Sequence, residues 1–195
     1  SLQAFNQFNY LHTHIQNIPQ SDEKDTCSYS WTSPQYSSMK MYKNICGQAE
    51  AHTIFKQLWR TSCRLRQKIF FWLLLHDIVS TRNLLQRRNM FLPDYNCALC
   101  ADATDETLMH LFWNCPFSLS CWTSLIPTKQ RGISAFDEIV LTMIKLPKDI
   151  AMEIIIMGCW STWLSRNDKI FRHAASHVQS CIYYLQEGLT AVQIR

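Results

Sequence analysis

Glycine and proline are scarce, with 4 and 6 residues in a chain of 195, so the residues that punctuate tight hairpins and multistranded sheets are largely missing. Long apolar-periodic segments stand in their place, and they predict a mainly α fold. Charged residues are also sparse, at 17% of the chain, whereas apolar residues reach 47% and aromatics 12%. A composition of that kind builds a core and excludes disorder as the dominant state. Near the start there is no basic segment followed by an apolar run and a small-residue cleavage site, so nothing there marks the chain for export. The most apolar stretch, 150–164, contains Glu153, Ser161 and Thr162 and is shorter than the roughly 20 residues of a membrane-spanning helix. The expectation is an intracellular protein, nuclear or cytoplasmic, with no membrane partner.

Cysteine, by contrast, is plentiful. There are 9, an odd number without an export signal, which argues against a disulfide scaffold. In a reducing compartment a cysteine is either a small buried apolar residue or a metal ligand, and spacing separates the two. Four residues have ligand spacing: Cys97-x2-Cys100-x9-His110-x4-Cys115. The first pair can turn both sulfurs toward one ion, and the His/Cys pair, in or just after a short helix, can complete a tetrahedron. Three thiolates and one imidazole suit Zn(II), and four protein ligands leave no open position, so the expected cofactor is one structural zinc ion and the expected catalytic residues are none.

Other readings of the same residues compete. With nine cysteines an accidental Cys-x2-Cys arises easily, but the added His-x4-Cys makes accident a poorer account of the set. Cys121, six residues beyond Cys115, is an alternative fourth ligand. A zinc deaminase is excluded, because that chemistry needs His-x-Glu ahead of its cysteine pair, whereas here the pair comes first and Leu111-Phe112 follow His110. Glu106 reads as a carboxylate at a helix N-terminus. Cys27, Cys46, Cys63, Cys159 and Cys181 read as packing residues.

The chain divides into a polar N-terminal segment, 1–50, a helical zinc-binding domain, 51–125, and a C-terminal helical extension, 126–195. The first segment carries an exposed loop at 21–25 and a short strand or hairpin over 31–42. Helical periodicity starts at 51, with Ile54, Phe55, Leu58 and Trp59 on one face. The run 69–75 predicts a helix buried on most sides, and Ser80 or Thr81 caps a helix over 82–88. Thr104 is the candidate cap of a short helix bearing Leu108, His110, Leu111 and Phe112, which Pro116 ends. Further helices are predicted over 134–146, with Ser134 and Asp137 as a capping box, from 149 toward 171, and over 177–193.

Charge is unevenly placed. Counting Lys and Arg against Asp and Glu gives 3 against 4 over 1–55, 8 against 1 over 56–88, and 8 against 10 over 89–195. The basic third contains Lys56, Arg60, Arg64, Arg66, Lys68, Arg82, Arg87 and Arg88, candidates for neutralising the phosphates of RNA or DNA. Trp59 and Trp113 could stack on bases if exposed. The competing reading places Trp59, Trp72 and Phe112 in the core, with the charges on a solvated helix face.

The stretch 96–122, NCALCADATDETLMHLFWNCPFSLSCW, resembles the zinc-binding domain that follows reverse transcriptase in plant non-LTR, LINE-type retrotransposons. Leu58-Trp59, Lys68 with Phe70-Phe71-Trp72, and Thr81-Arg82-Asn83-Leu84 with Arg87-Arg88 resemble its upstream landmarks. The stretch 160–171, WSTWLSRNDKIF, resembles the Trp-x-x-Trp-x-x-Arg-Asn-x-x-Ile-Phe segment often found after that domain. The chain departs from the family in having Ser33-Pro34-Gln35 before Tyr36-Ser37 and in lacking prolines ahead of Lys68. The resemblance implies an accessory, non-catalytic module that works with a reverse transcriptase polyprotein and helps it engage RNA or target DNA. A zinc-fastened platform for another protein, or a retroelement remnant without a selected role, is the alternative. The sequence further suggests that loss of Cys97 or His110 unfolds 95–122 and leaves the far C-terminal helices less affected.

Overall fold

The computed structural model of the protein describes residues 2–18, 37–47, 50–127 and 133–193. Among these the chain is mainly helical, as the shortage of glycine and proline predicts, and its β structure is one isolated antiparallel bridge between Asn96 and Asp105. Two compact units form, Ser1–Glu50 and Ala51–Arg195.

The first unit holds two helices that a reading as irregular polar chain misses. Helix α1 (Leu2–Gln16) carries Phe5, Phe8, Leu11 and Ile15 at helical spacing but buries none of its residues. Helix α2 (Ser38–Cys46) starts where the Ser37 hydroxyl accepts the Lys40 N–H at 3.4 Å, and that cap selects helix over the expected hairpin at 38–42. The rest of that hairpin, at 31–36, and the loop at 21–25 lie outside the described residues.

In the second unit, α3 (Thr53–Arg60) buries Ile54 and Leu58 but leaves Trp59 48% exposed, so Trp59 is not a core residue. Helix α4 (Leu65–Leu75) is apolar through most of its length and still buries one face, with Phe70, Phe71, Leu74 and Leu75 inside and Ile69 and Trp72 partly in solvent. Thr81 caps α5 (Arg82–Arg87) by accepting the Leu84 N–H at 3.2 Å. After the cysteine-rich loop come a π-helical turn (His110–Asn114), α6 (Pro116–Thr123) and α7 (Ala135–Met143). The predicted capping box opens α7: Ser134 N–H donates to Asp137 Oδ2 at 3.0 Å and Asp137 N–H to Ser134 Oγ at 3.2 Å.

Two long helices, α8 (Ala151–Arg172) and α9 (Val178–Gln193), close the fold. Helix α8 is about 33 Å long at the standard rise and packs against α4, α6, α7, α9 and the π-helical turn. Its ring residues join those of the earlier helices: Phe70 meets Trp160 edge-on at 5.1 Å and Phe112 at 5.9 Å. The helices after 126 therefore share one core with the segment before it. No described helix is long and apolar enough to cross a membrane.

Gly158 on α8 marks a close approach to α6. A Cβ there would lie 2.5 Å from Cη2 of Trp122, and that ring is pinned because its Nε1–H donates to Phe112 O at 2.8 Å. Gly158→Ala should therefore destabilise the protein by about 1–3 kcal/mol, the usual cost of overpacking, read as a lower urea midpoint at an unchanged slope; an unchanged midpoint would show that the indole is free to move.

Candidate metal centre

Local backbone chemistry brings the four ligand candidates together. The bridge between Asn96 and Asp105 closes the loop at its base, where Cys97 N–H donates to Thr104 O at 2.7 Å and Glu106 N–H to Tyr95 O at 3.0 Å. Ala103, at φ 45°, supplies the left-handed residue that returns the chain. Thr107, rather than Thr104, caps the following helix, its Oγ1 accepting the His110 N–H at 3.0 Å. Thr104 instead donates its hydroxyl to Asp102 O, which leaves it no part in the cap.

The helix then widens into the π turn, in which Cys115 N–H reaches back five residues to His110 O at 2.6 Å. A π turn frees carbonyls that an α-helix would satisfy. Two of them are taken up from α6, by Ser118 Oγ on Leu111 O and by Trp122 Nε1–H on Phe112 O. Pro116 does more than end the turn, since it stands as the first residue of α6, where its missing N–H costs nothing.

The resulting cluster places one donor atom each from Cys97, Cys100, His110 and Cys115 within 4.8 Å of one another. Cys97, His110 and Cys115 are buried and Cys100 is half-buried. Cys97 Sγ lies 3.8 Å from Cys115 Sγ, and Cys100 Sγ lies 3.3 Å from His110 Nε2. Sulfurs on a tetrahedral zinc at Zn–S of about 2.3 Å stand roughly 3.8 Å apart, so the set has room for such an ion at its centre. Soft sulfurs with an imidazole also suit zinc and exclude the hard-oxygen cations.

Electrostatics prepare the donors unequally. The hydrogen bond from Cys97 holds the Cys115 thiol below its ordinary value, and the same bond, with burial, pushes Cys97 up. Burial raises Cys100 and lowers His110, which keeps the imidazole neutral with a lone pair to offer. A dication among the three thiols supplies the charge that makes their ionisation favourable.

Residues 36–122 match the family described as zinc-binding in reverse transcriptase. Over that segment, somewhat less than half of the chain, the protein is similar to the reverse transcriptase zinc-binding family. The family is an accessory zinc-binding one, not a catalytic domain. A protein of Arabidopsis thaliana named "Putative ribonuclease H protein" is 27% identical over 79 residues, which cover 40% of this chain and 12% of that protein. No solved structure matches the chain.

Outside the ligand set, Glu106 is the residue of the matched segment with the most connections. It is fully buried, and its carboxylate accepts from Arg166 Nη2 at 2.8 Å and Nε at 3.2 Å, from Arg82 N–H at 3.0 Å and from Ala98 N–H at 3.3 Å. Ala98 lies between the first two cysteines, so this one side chain joins the loop, the head of α5 and α8. Its position four residues before His110 was visible in the sequence, but a partner 60 residues away was not. Cys121 is not in the cluster; it packs beside Cys181 in a small space under Gly158 and Ser161. Cys63, Cys159 and Cys181 are buried as expected of packing residues, Cys46 is exposed, and Cys27 lies outside the described residues.

The eight basic candidates lie on three helices and their flanks. Lys56 and Arg60 are on α3, Arg64, Arg66 and Lys68 at the head of α4, and Arg82, Arg87 and Arg88 on and just after α5. Arg82 alone touches the loop that carries the cluster, through Asn96 O at 2.7 Å, and it also pairs with Asp94 at 2.8 Å. Arg87 pairs with Asp77 at 2.7 Å, Lys68 donates to Trp59 O at 3.1 Å, and Arg66 stacks over Trp160. Trp113 is fully buried and cannot reach a base.

Glu106→Gln should cost about 3–5 kcal/mol, because it leaves the buried Arg166 guanidinium without its counter-charge. The double change Glu106→Gln with Arg166→Met should recover much of that loss in chemical denaturation. Equal losses in the single and double variants would mean that the packing, not the charge pair, matters.

Proposed function

We propose that this chain carries the zinc-binding domain of a LINE-type retroelement reverse transcriptase, non-catalytic in itself, in which one structural Zn(II) fastens a helical platform that engages RNA or DNA. The observation that supports it most directly is the closed set of three sulfurs and one nitrogen, lying in the segment that matches the family. With four protein donors on the ion no position is left for water or substrate, so the ion's role is architectural. Cys97, Cys100, His110 and Cys115 would hold it, and the binding free energy would enter as folding free energy.

Nucleic-acid engagement is supported by the basic segment 56–88. Arg60, Arg64 and Arg88 are exposed and pair with no carboxylate among the described residues. Arginines of this kind can neutralise phosphates and release counterions. That the matched region makes up 12% of the Arabidopsis protein supports a setting within a longer polypeptide, in which this domain would help a reverse transcriptase hold template or target.

Elemental analysis should find one zinc per chain. Chelation should abolish the near-ultraviolet dichroism of the buried Trp113 and Trp122 and also lower the helix content, because α8 packs on the π turn and α6. A metal-free protein with the same spectra would overturn the structural-zinc reading. In anisotropy titrations at low salt the chain should bind RNA or DNA, with affinity falling as salt rises. Replacing Arg60, Arg64 and Arg88 by Ala should reduce the log–log salt slope by about 1 for each arginine that contacts phosphate. Binding insensitive to salt, or to these changes, would count against the nucleic-acid part alone.

A further inference from the structure

Between α5 and α8 runs a groove of about 430 Å³ that the zinc cluster does not use. Leu85, Leu92, Pro93, Trp163, Ile170 and Phe171 give it apolar walls. Polar groups enter at a few points. Arg166 reaches it with its guanidinium held by Glu106 and lying over the Trp163 ring at 4.9 Å. The Asn167 side-chain oxygen accepts from Arg166 Nη1 at 3.0 Å, which turns the amide N–H groups of Asn167 away from Arg166 and leaves them without an acceptor among the described residues. Ser80 adds a hydroxyl with no partner among the described residues.

We propose that this groove receives one unstacked nucleobase of a single-stranded RNA or DNA, a reading that rests on the nucleic-acid engagement argued above. A nucleobase has two apolar faces and a polar edge, which is the distribution the groove presents: hydrocarbon and ring on the walls, an amide and a hydroxyl to meet the edge. An apolar side chain from a protein partner would fill the walls and leave those polar groups unmet.

Charge around the groove agrees with a sugar-phosphate backbone outside it. Arg82 and Arg88 stand three residues on either side of Leu85, and residues at that spacing share a helix face. Arg82 is matched by Asp94, whereas Arg88 is exposed and pairs with no carboxylate among the described residues. Phe171, 72% exposed, forms part of the wall, and Phe91, 88% exposed, directly precedes Leu92. Exposed rings beside arginines are the usual platform for successive bases of a single strand.

The test uses the full zinc-loaded chain with labelled dodecauridine, dodecathymidine and a 12-base-pair duplex. Ile170→Trp fills the groove without touching a proposed phosphate contact. It should weaken single-strand binding by roughly tenfold, the range expected for one lost stacking contact, while duplex affinity and salt slope stay as in the parent. Similar losses for the two single strands would mark the base rather than the sugar as the recognised group, and a loss confined to dodecauridine would mark an RNA groove. With the unsubstituted chain, 5-iodouridine placed in the oligonucleotide should photocross-link to Trp163 or Phe171, which keeps the test decisive if the variant folds poorly. Cross-links mapping elsewhere, or a folded variant that binds single strands as the parent does, would overturn the groove while leaving nucleic-acid engagement standing. Absence of any oligonucleotide binding would overturn both. An apolar fluorescent probe that occupies the groove without displacing the single strand would identify a protein-docking surface instead.

Discussion

The buried pair between Glu106 and Arg166 is the contact on which the arrangement of the second unit depends. Its carboxylate sits at 0% exposure and its guanidinium side chain at 5%, where an unpaired charge would be prohibitive. Each remaining hydrogen-bonding position of the carboxylate is spent on a different part of the chain: the amide of Ala98 in the cysteine loop, the amide of Arg82 at the start of α5, and two nitrogens of Arg166 on α8. Such pairs contribute little net stability compared with apolar replacements. What this one does is tie loop, α5 and α8 together at a single carboxylate.

That tie matters because the ligand set is assembled from segments with different geometry. Cys97 and Cys100 come from a loop closed by a single bridge, whereas His110 and Cys115 come from a helix that widens by one residue per turn. The π turn leaves Leu111 O and Phe112 O for α6 to satisfy, and it does so through Ser118 and Trp122. Trp122 in turn needs Gly158 on α8, where a larger residue would meet its ring. A chain of dependence thus runs from the cysteine loop through the π turn and α6 to α8, and returns to the loop through Arg166 and Glu106.

Much of this was legible in the sequence wherever the governing chemistry is local. Ligand spacing located the four-residue cluster, Thr81 and the Ser134/Asp137 box located two helix starts, and periodicity located α3, α8 and α9 in outline. The misses have a common cause in contacts remote along the chain or in competition among neighbours. Thr104 and Thr107 are equally good caps on paper, and the choice between them was made by the bridge that engages Thr104 O. Trp59 and Trp113 share a residue type, yet one lies on the outer side of α3 and the other within the core. The N-terminal helices were hidden because α1 and α2 are polar between their apolar positions and bury nothing, so periodicity had no core to point to.

The cysteine–histidine cluster and the ion pair act over different ranges of sequence. The cluster closes the stretch from Cys97 to Cys115, a span of 18 in sequence, while Glu106 and Arg166 are 60 apart. A metal ion can supply on the order of 10 kcal/mol to a small closed site, far more than one buried pair contributes net, but it acts only on the residues that touch it. Shared packing and the Glu106–Arg166 pair carry that local rigidity to α8. Arg166 is also where the structural contact and the surface meet, because the guanidinium that neutralises Glu106 lies over Trp163 and forms part of the groove between α5 and α8. The shape of that groove is therefore set by the same contacts that order the cysteine loop.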